Sequence, residues 1–146
     1  MAVNDRIERS IMVEATPEKV WAALTTEDGM KGWFGDIAEI DLKTGGEAIF
    51  GWSDYGSSSQ AVIEVVEPHT RFAFRWASEG DTRVEDGPSS LVEFVIEVDE
   101  TGTRITIVET GFASFPDDTA EYHFQENSKG WKSEMDDLAA YLETAA

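Results

Sequence analysis

The chain reads as an α+β protein: a curved antiparallel sheet of about seven strands wraps a long C-terminal helix and leaves an apolar pocket between them. Three observations carry this reading. Period-two alternation recurs from Ile7 to Ile107, whereas the segment from Phe124 to Leu142 switches to helical spacing. The alternation gathers bulky rings on one side of the strands. The terminal helix is the only element long enough to cover them. The expected order is β-α-α-β-β-β-β-β-β-α. No repeat, low-complexity tract or linker divides the chain, so residues 1–146 are expected to form one domain.

The first strand spans 7–13, where Ile7, Ile11 and Val13 share a face with Arg9. A helix starts directly after it. Thr16 can cap the first turn, Pro17 suits the first helical position, and Glu18 favours the positive end of the dipole. Val20, Trp21 and Leu24 form its apolar stripe. A second short helix is expected over 27–33, capped by Thr26, with Gly32 and Gly35 limiting it to a turn or two.

Six strands should follow. Ala38, Ile40 and Leu42 alternate with acidic residues, and Gly45-Gly46 makes a turn. The run 47–53 places Ala48, Phe50 and Trp52 on one face. A loop over 55–59 leads to a strand with Ala61, Ile63 and Val65 on one face, stopped by Pro68. The run 71–77 alternates most cleanly, with Phe72, Phe74 and Trp76 opposite Arg71, Ala73 and Arg75. A polar loop over 78–88 precedes a strand carrying Val92, Phe94, Ile96 and Val98. Asp99-Glu100-Thr101-Gly102 reads as a hairpin connection. The return strand carries Ile105 and Ile107. Finally Phe124, Trp131, Met135, Leu138 and Leu142 recur on one helical stripe. Glu134, Asp136, Asp137 and Glu143 are expected on its solvated faces.

Composition narrows the function classes. Eleven Lys and Arg stand against 30 Asp and Glu, a net charge of −19. Such a chain repels phosphate backbones and anionic headgroups, so neither nucleic acid nor a membrane surface is an expected partner. Cysteine is absent, which excludes disulfides and thiolate metal sites. No apolar run reaches the length of about 18 residues that marks a spanning helix. The start, Met1-Ala2-Val3-Asn4-Asp5-Arg6, has no leader pattern, so a cytoplasmic location is expected.

Several stretches, taken in order, match a known family. They are Thr16-Pro17-Glu18-Lys19-Val20-Trp21-Ala22-Ala23-Leu24-Thr25, Trp33-Phe34, Val65-Val66-Glu67-Pro68 and Arg71-Phe72-Ala73-Phe74-Arg75-Trp76. Glu109-Thr110-Gly111-Phe112 follows, and Gly130-Trp131 leads to Leu138-Ala139-Ala140-Tyr141-Leu142-Glu143. The chain resembles the proteins similar to the activator of heat-shock-protein-ninety ATPase, within the START-like (SRPBCC, birch-pollen-allergen-like) superfamily. The resemblance implies a helix-grip fold with a cavity between sheet and long helix. It extends over nearly the whole sequence. The superfamily hosts transport, cyclase, hydrolase and co-chaperone roles, so fold alone does not select an activity. The eukaryotic activators carry a further N-terminal domain, which this chain, opening almost at its first strand, is expected to lack.

Candidate site residues come first from the rings. Trp33, Phe34, Phe50, Trp52, Phe72, Phe74, Trp76, Phe94 and Trp131, with Met135, are the candidate ligand-binding set. Core packing would account for each singly. Together, so many rings are hard to pack against one helix without leaving space. Gly130 beside Trp131 lets a group approach the helix, and Trp33-Phe34 could gate the space or simply staple the short helix to the sheet. Glu109 shares parity with Ile105 and Ile107, and a carboxylate on an apolar wall could act as an acid or a polar anchor. An ion pair of Glu93 or Glu109 with Arg75 or Arg104 is the alternative. His123 has Glu126 three residues on, a spacing that suits an acid–base pair, but further metal ligands are not evident. His69 belongs to a turn, and Ser57-Ser58-Ser59 lacks a nucleophile-elbow pattern.

The leading expectation is a binder of a small hydrophobic molecule, with no cofactor and no metal, acting as a monomer or homodimer. The alternatives are an interaction module for a chaperone or other protein partner, and an enzyme of cyclase, dehydratase or hydrolase type using Glu109 or His123. No catalytic set stands out.

Overall fold

The computed structural model describes residues 5–53, 56–77, 84–112 and 115–144. The chain opens with β1 (Arg6–Val13), α1 (Pro17–Thr25) and α2 (Glu27–Trp33). It continues through β2 (Ile37–Ile40), β3 (Glu47–Trp52), β4 (Ser57–Glu67), β5 (Arg71–Ala77), β6 (Ser89–Asp99) and β7 (Gly102–Thr110). It closes with α3 (Asp117–Thr144). A 3-10 turn at Val84–Asp86 precedes β6. The strands form one antiparallel sheet in the order β1-β7-β6-β5-β4-β3-β2. β2 to β7 are a meander, so each lies beside its sequence neighbour. β1 adds to the free edge of β7, pairing Arg6 with Thr110 and Val13 with Thr103. α1 and α2 therefore carry the chain from one sheet edge to the other, and α3 lies against β1 and both short helices.

Local chemistry sets the helix ends. Thr16 Oγ1 accepts from the Lys19 N–H at 3.3 Å, with Pro17 in the first turn. Thr26 does two jobs. Its N–H donates to the Ala22 carbonyl at 3.1 Å and ends α1, while its Oγ1 accepts from the Gly29 N–H at 2.9 Å and starts α2. A threonine cap of this kind stabilises a helix by about 1 kcal/mol. The two helices abut so closely that a Cβ at Gly29 would sit 2.2 Å from the Ala22 carbonyl oxygen.

The inner face of the sheet carries the rings. Phe50, Phe72, Phe74 and Phe94 are fully buried, beside Ile63, Val92, Ile105 and Ile107. They pack on one another, with centroids 5.1 Å apart for Phe50–Phe74 and 5.8 Å for Phe72–Phe74. From α3, Trp131, Met135, Leu138 and Leu142 are buried against them. Phe124 is half-buried at the edge of the same stripe. The outer face is polar and paired: Arg71 meets Glu93, and Arg75 reaches Glu64 at 2.9 Å. The alternative of an ion pair with Arg75 or Arg104 is thus corrected for Glu93, and also for Glu109, which faces inward onto Trp76, Ser90 and Trp131. β5 and β6 place Arg71 diagonally across from Glu93, and Arg104 lies 4.0 Å from Asp99 instead.

Other local readings also need correction. Ser57-Ser58-Ser59 is not a loop but the start of β4, paired with Trp52, Gly51 and Phe50. The register between β4 and β5 shifts between Ile63 and Val65, so that Val66, not Val65, stands opposite the inward Phe72. A bulge adds one residue and flips the alternation beyond it. β2 stops at Ile40, leaving Leu42 exposed, and Val98 at the end of β6 is 66% exposed because the inner face has run out. Tyr55 and residues 78–83, parts of two expected loops, lie outside the described residues. His69 occupies the turn after Pro68, exposed and with φ of 68°.

Truncating a ring at the centre of the sheet should open a cavity that the neighbouring strands cannot close. Phe74→Ala is expected to lower unfolding stability by about 3–5 kcal/mol, and Val98→Ala by less than about 0.5 kcal/mol, in urea titrations. Comparable losses for the two would contradict this placement of the core.

Candidate functional site

β7 alternates through Thr103, Ile105 and Ile107 to Glu109, which therefore points inward and is fully buried. Four side chains donate to it. Trp131 Nε1 reaches Oε1 at 2.8 Å; Trp76 Nε1 and Ser90 Oγ reach Oε2 at 2.9 and 2.5 Å. Asn127 Nδ2 lies 3.2 Å from both oxygens. The donors come from β5, β6 and α3, so one carboxyl group links three adjacent strands to the terminal helix. Its acceptor positions are filled, as a buried polar group requires.

Above this group the rings form a wall. Phe34, Trp76 and Trp131 lie near-parallel, with centroids 5.6 Å apart for Phe34–Trp131 and 5.9 Å for Trp76–Trp131. Trp52 meets Phe34 edge-on at 5.1 Å, and its Nε1 donates to the Phe34 carbonyl at 2.6 Å. Beside these rings, along α3, lies a cleft of about 130 Å³, lined by Phe34, Trp52 and Trp76 and, on the helix, by Glu126, Asn127, Gly130, Trp131 and Glu134. A Cβ at Gly130 would meet nothing within 4 Å, so the missing side chain leaves open space. The cleft shares Phe34, Trp52 and Glu134 with a wider, solvent-open groove of about 730 Å³ between α2 and the C-terminal half of α3.

Glu134 stands where cleft and groove meet. Its Oε2 is buried and has no hydrogen-bond partner among the described residues. Burial, and then the neighbouring Asp137 carboxylate, push its pKa up to about 7. The reading of Glu134 as a solvated residue is thereby corrected.

A model of the family described as activator of Hsp90 ATPase homolog 1-like protein matches residues 14–143. The chain belongs to that family. Among solved structures, a Mesorhizobium loti protein is similar at a TM-score of 0.82 and 20% identity, covering 97% of this chain and 98% of that one. The Aha1 dimer from Colwellia psychrerythraea gives a TM-score of 0.74 at 22% identity, covering 94% of this chain and 96% of that one. A protein from Bacillus halodurans gives 0.72 at 25% identity, covering 97% and 99%. These likenesses establish the helix-grip fold. No curated protein matches the chain.

The ring and methionine candidates from the sequence separate into three groups within this fold. Phe34, Trp52, Trp76 and Trp131 line the cleft. Phe50, Phe72, Phe74, Phe94 and Met135 lie behind it in the packed interior. Trp33 borders the wider groove and is stapled to α1, its Nε1 donating to the Ala23 carbonyl at 2.9 Å. The two acid–base candidates are far from equivalent. Glu109 sits behind Trp76, Asn127 and Trp131 with its oxygens engaged. His123 is half-buried beside Phe115, with ring centroids 5.2 Å apart, while Glu126 lies 3.8 Å from Lys129. Among the described residues no three His, Asp or Glu side chains gather as metal ligands. Asn127 went unread in the sequence, and Glu134 was read only as solvated. Their signal was spacing: Asn127 is four residues before Trp131 and Glu134 three after it, both on the helix face that carries the stripe.

Two measurements check this geometry. Glu109→Gln turns an amide donor toward indole donors, and should cost about 2–4 kcal/mol of stability by denaturant titration. A neutral outcome would contradict the hydrogen-bond assignment. For Glu134 the folded state disfavours the charged form. Its contribution is therefore present in full below the ordinary value of 4.5 and lost as pH rises through about 7. Glu134→Gln should accordingly exceed the parent chain in stability by about 1 kcal/mol at pH 8, a figure reduced for solvent screening, with the gap closing toward pH 5. A gap independent of pH would contradict the burial of this group.

Proposed function

We propose that this chain binds a small molecule with a flat, apolar body, held in the cleft beside the ring wall, along α3. The observation that carries the reading is Gly130. This exposed glycine leaves open space on the helix, in a cleft lined by four rings together with Glu126, Asn127 and Glu134. A volume of about 130 Å³ is close to that of a cavity of about 150 Å³ able to take one benzene ring. The interior behind it is packed with side chains, which favours a ring-sized group over a long acyl chain. The adjoining groove gives room for the remainder of a larger ligand, since drug-sized sites occupy roughly 300–1,000 Å³. Contact with Phe34, Trp52 and Trp131 would supply both apolar burial and offset stacking, the latter worth about 0.5–1.5 kcal/mol per ring pair.

Gly130→Leu separates binding from folding. A side chain there would fill the cleft, while helix propensity improves by up to about 1 kcal/mol. Ligand-observed NMR with one- and two-ring aromatic fragments should give hits on the parent chain that disappear in Gly130→Leu, with stability unchanged or raised. Fragment binding that persists in the variant, or no hit on the parent chain, would overturn the proposal.

A further inference from the structure

The donors that border the cleft are all committed elsewhere. Trp52 Nε1 donates to the Phe34 carbonyl, and Trp76 Nε1, Trp131 Nε1 and Asn127 Nδ2 donate to Glu109. What the cleft offers a ligand is therefore ring surface, the Glu126 carboxylate and the acceptor oxygens of Glu134. One of those oxygens is buried without a hydrogen-bond partner among the described residues. The contrast with Glu109, saturated by four donors a short way deeper, is direct.

We propose that the ligand of this cleft carries a protonated amine, which donates to Glu134 while its flat apolar body packs on the indole and phenyl rings. This rests on the binding reading above and names the chemistry that the site selects. An N–H⁺ group supplies the donor that Glu134 lacks, in a charge-assisted hydrogen bond. The ring faces add cation–π attraction, which strengthens as the cation is desolvated. An anionic ligand would meet the opposite: no free donor, repulsion from Glu134 and Glu126 on the cleft wall, and a chain with net charge −19. A neutral ligand without a donor would leave Glu134 unsatisfied.

Other charged groups around Glu134 reinforce this. From α3 they are Asp137 and Glu126, from α2 Lys31, and from the connection between α2 and β2 Asp36, with the Tyr141 hydroxyl bordering the same groove. β3 and β5 present Trp52 and Trp76, which do not titrate. Lys31 is the one cation on either lining. The raised pKa of Glu134 fits a carboxyl group waiting for a counter-charge. Amine binding would draw off its proton, so affinity should fall as pH drops below about 7.

The test uses three probes that share one ring and differ in charge: benzylammonium, benzyl alcohol and benzoate. Tryptophan fluorescence titrations at pH 8 should show benzylammonium binding at least about tenfold more tightly than benzyl alcohol, and benzoate more weakly than either. Glu134→Gln should equalise benzylammonium and benzyl alcohol. Asp136→Asn, which removes one exposed charge from the same helix, should leave the preference intact. At pH 5.5 benzylammonium should weaken on the order of tenfold while benzyl alcohol holds steady. Equal affinity for amine and alcohol in the parent chain, or a preference that survives Glu134→Gln, would overturn the amine assignment and leave the binding reading standing. Saturable quenching by none of the three would remove both.

Discussion

The arrangement depends on the buried carboxyl group of Glu109. Placing an acceptor-only group at the floor of a ring-packed interior is tolerable only when each oxygen is met by a donor, and four side chains from two further strands and the terminal helix meet it. The requirement works in both directions. The donors hold the carboxyl group in place, and the carboxyl group fixes the donors. Trp76 and Trp131 are pinned through their indole nitrogens, so their rings cannot rotate into the space beside Gly130. The helix is thereby located against the sheet by directional bonds, where apolar contact alone would permit sliding.

That constraint explains why the open volume lies at the rim. Phe50, Phe72, Phe74 and Phe94 fill the concave face, and α3 seats Met135 and Leu138 on them. Close packing of this kind is ordinary for an interior. Space survives where a glycine faces a ring wall that is held back by its own hydrogen bonds. Glu134 then occupies the boundary between packed interior and groove. There it is too buried to be solvated like a surface residue and too far from donors to be satisfied like Glu109. The two carboxyl groups show how environment, not residue type, decides between a structural tie and a group available to a ligand.

Much of this was legible in the sequence. Thr16 and Thr26 announced their caps, the parity of Glu109 with Ile105 and Ile107 announced its inward direction, and the alternation of Phe72, Phe74 and Trp76 announced the ring face. Each is a local rule with a fixed period. The misses have a common cause. The bulge between Ile63 and Val65 is set by strand pairing, which no window of a single strand reveals. Ser57, Ser58 and Ser59 have weak strand preference, and pair because β3 needs a partner. Glu134 lies on the apolar stripe by spacing, but a charged residue at such a position can turn outward. Only the tertiary packing around it, which buries its Oε2, decides that it does not. Whether the ring face would be filled or hollow depended on volumes that alternation does not encode.

The central claim is that the Trp76 and Trp131 indoles are clamped on Glu109. Hydrogen exchange of the indole N–H groups, followed in ¹⁵N-labelled protein by two-dimensional NMR, measures this directly. The account predicts that both signals exchange only through global unfolding, with protection near that of the central β5 and β6 amides. Exchange of either indole proton within minutes, while those amides remain protected, would contradict it.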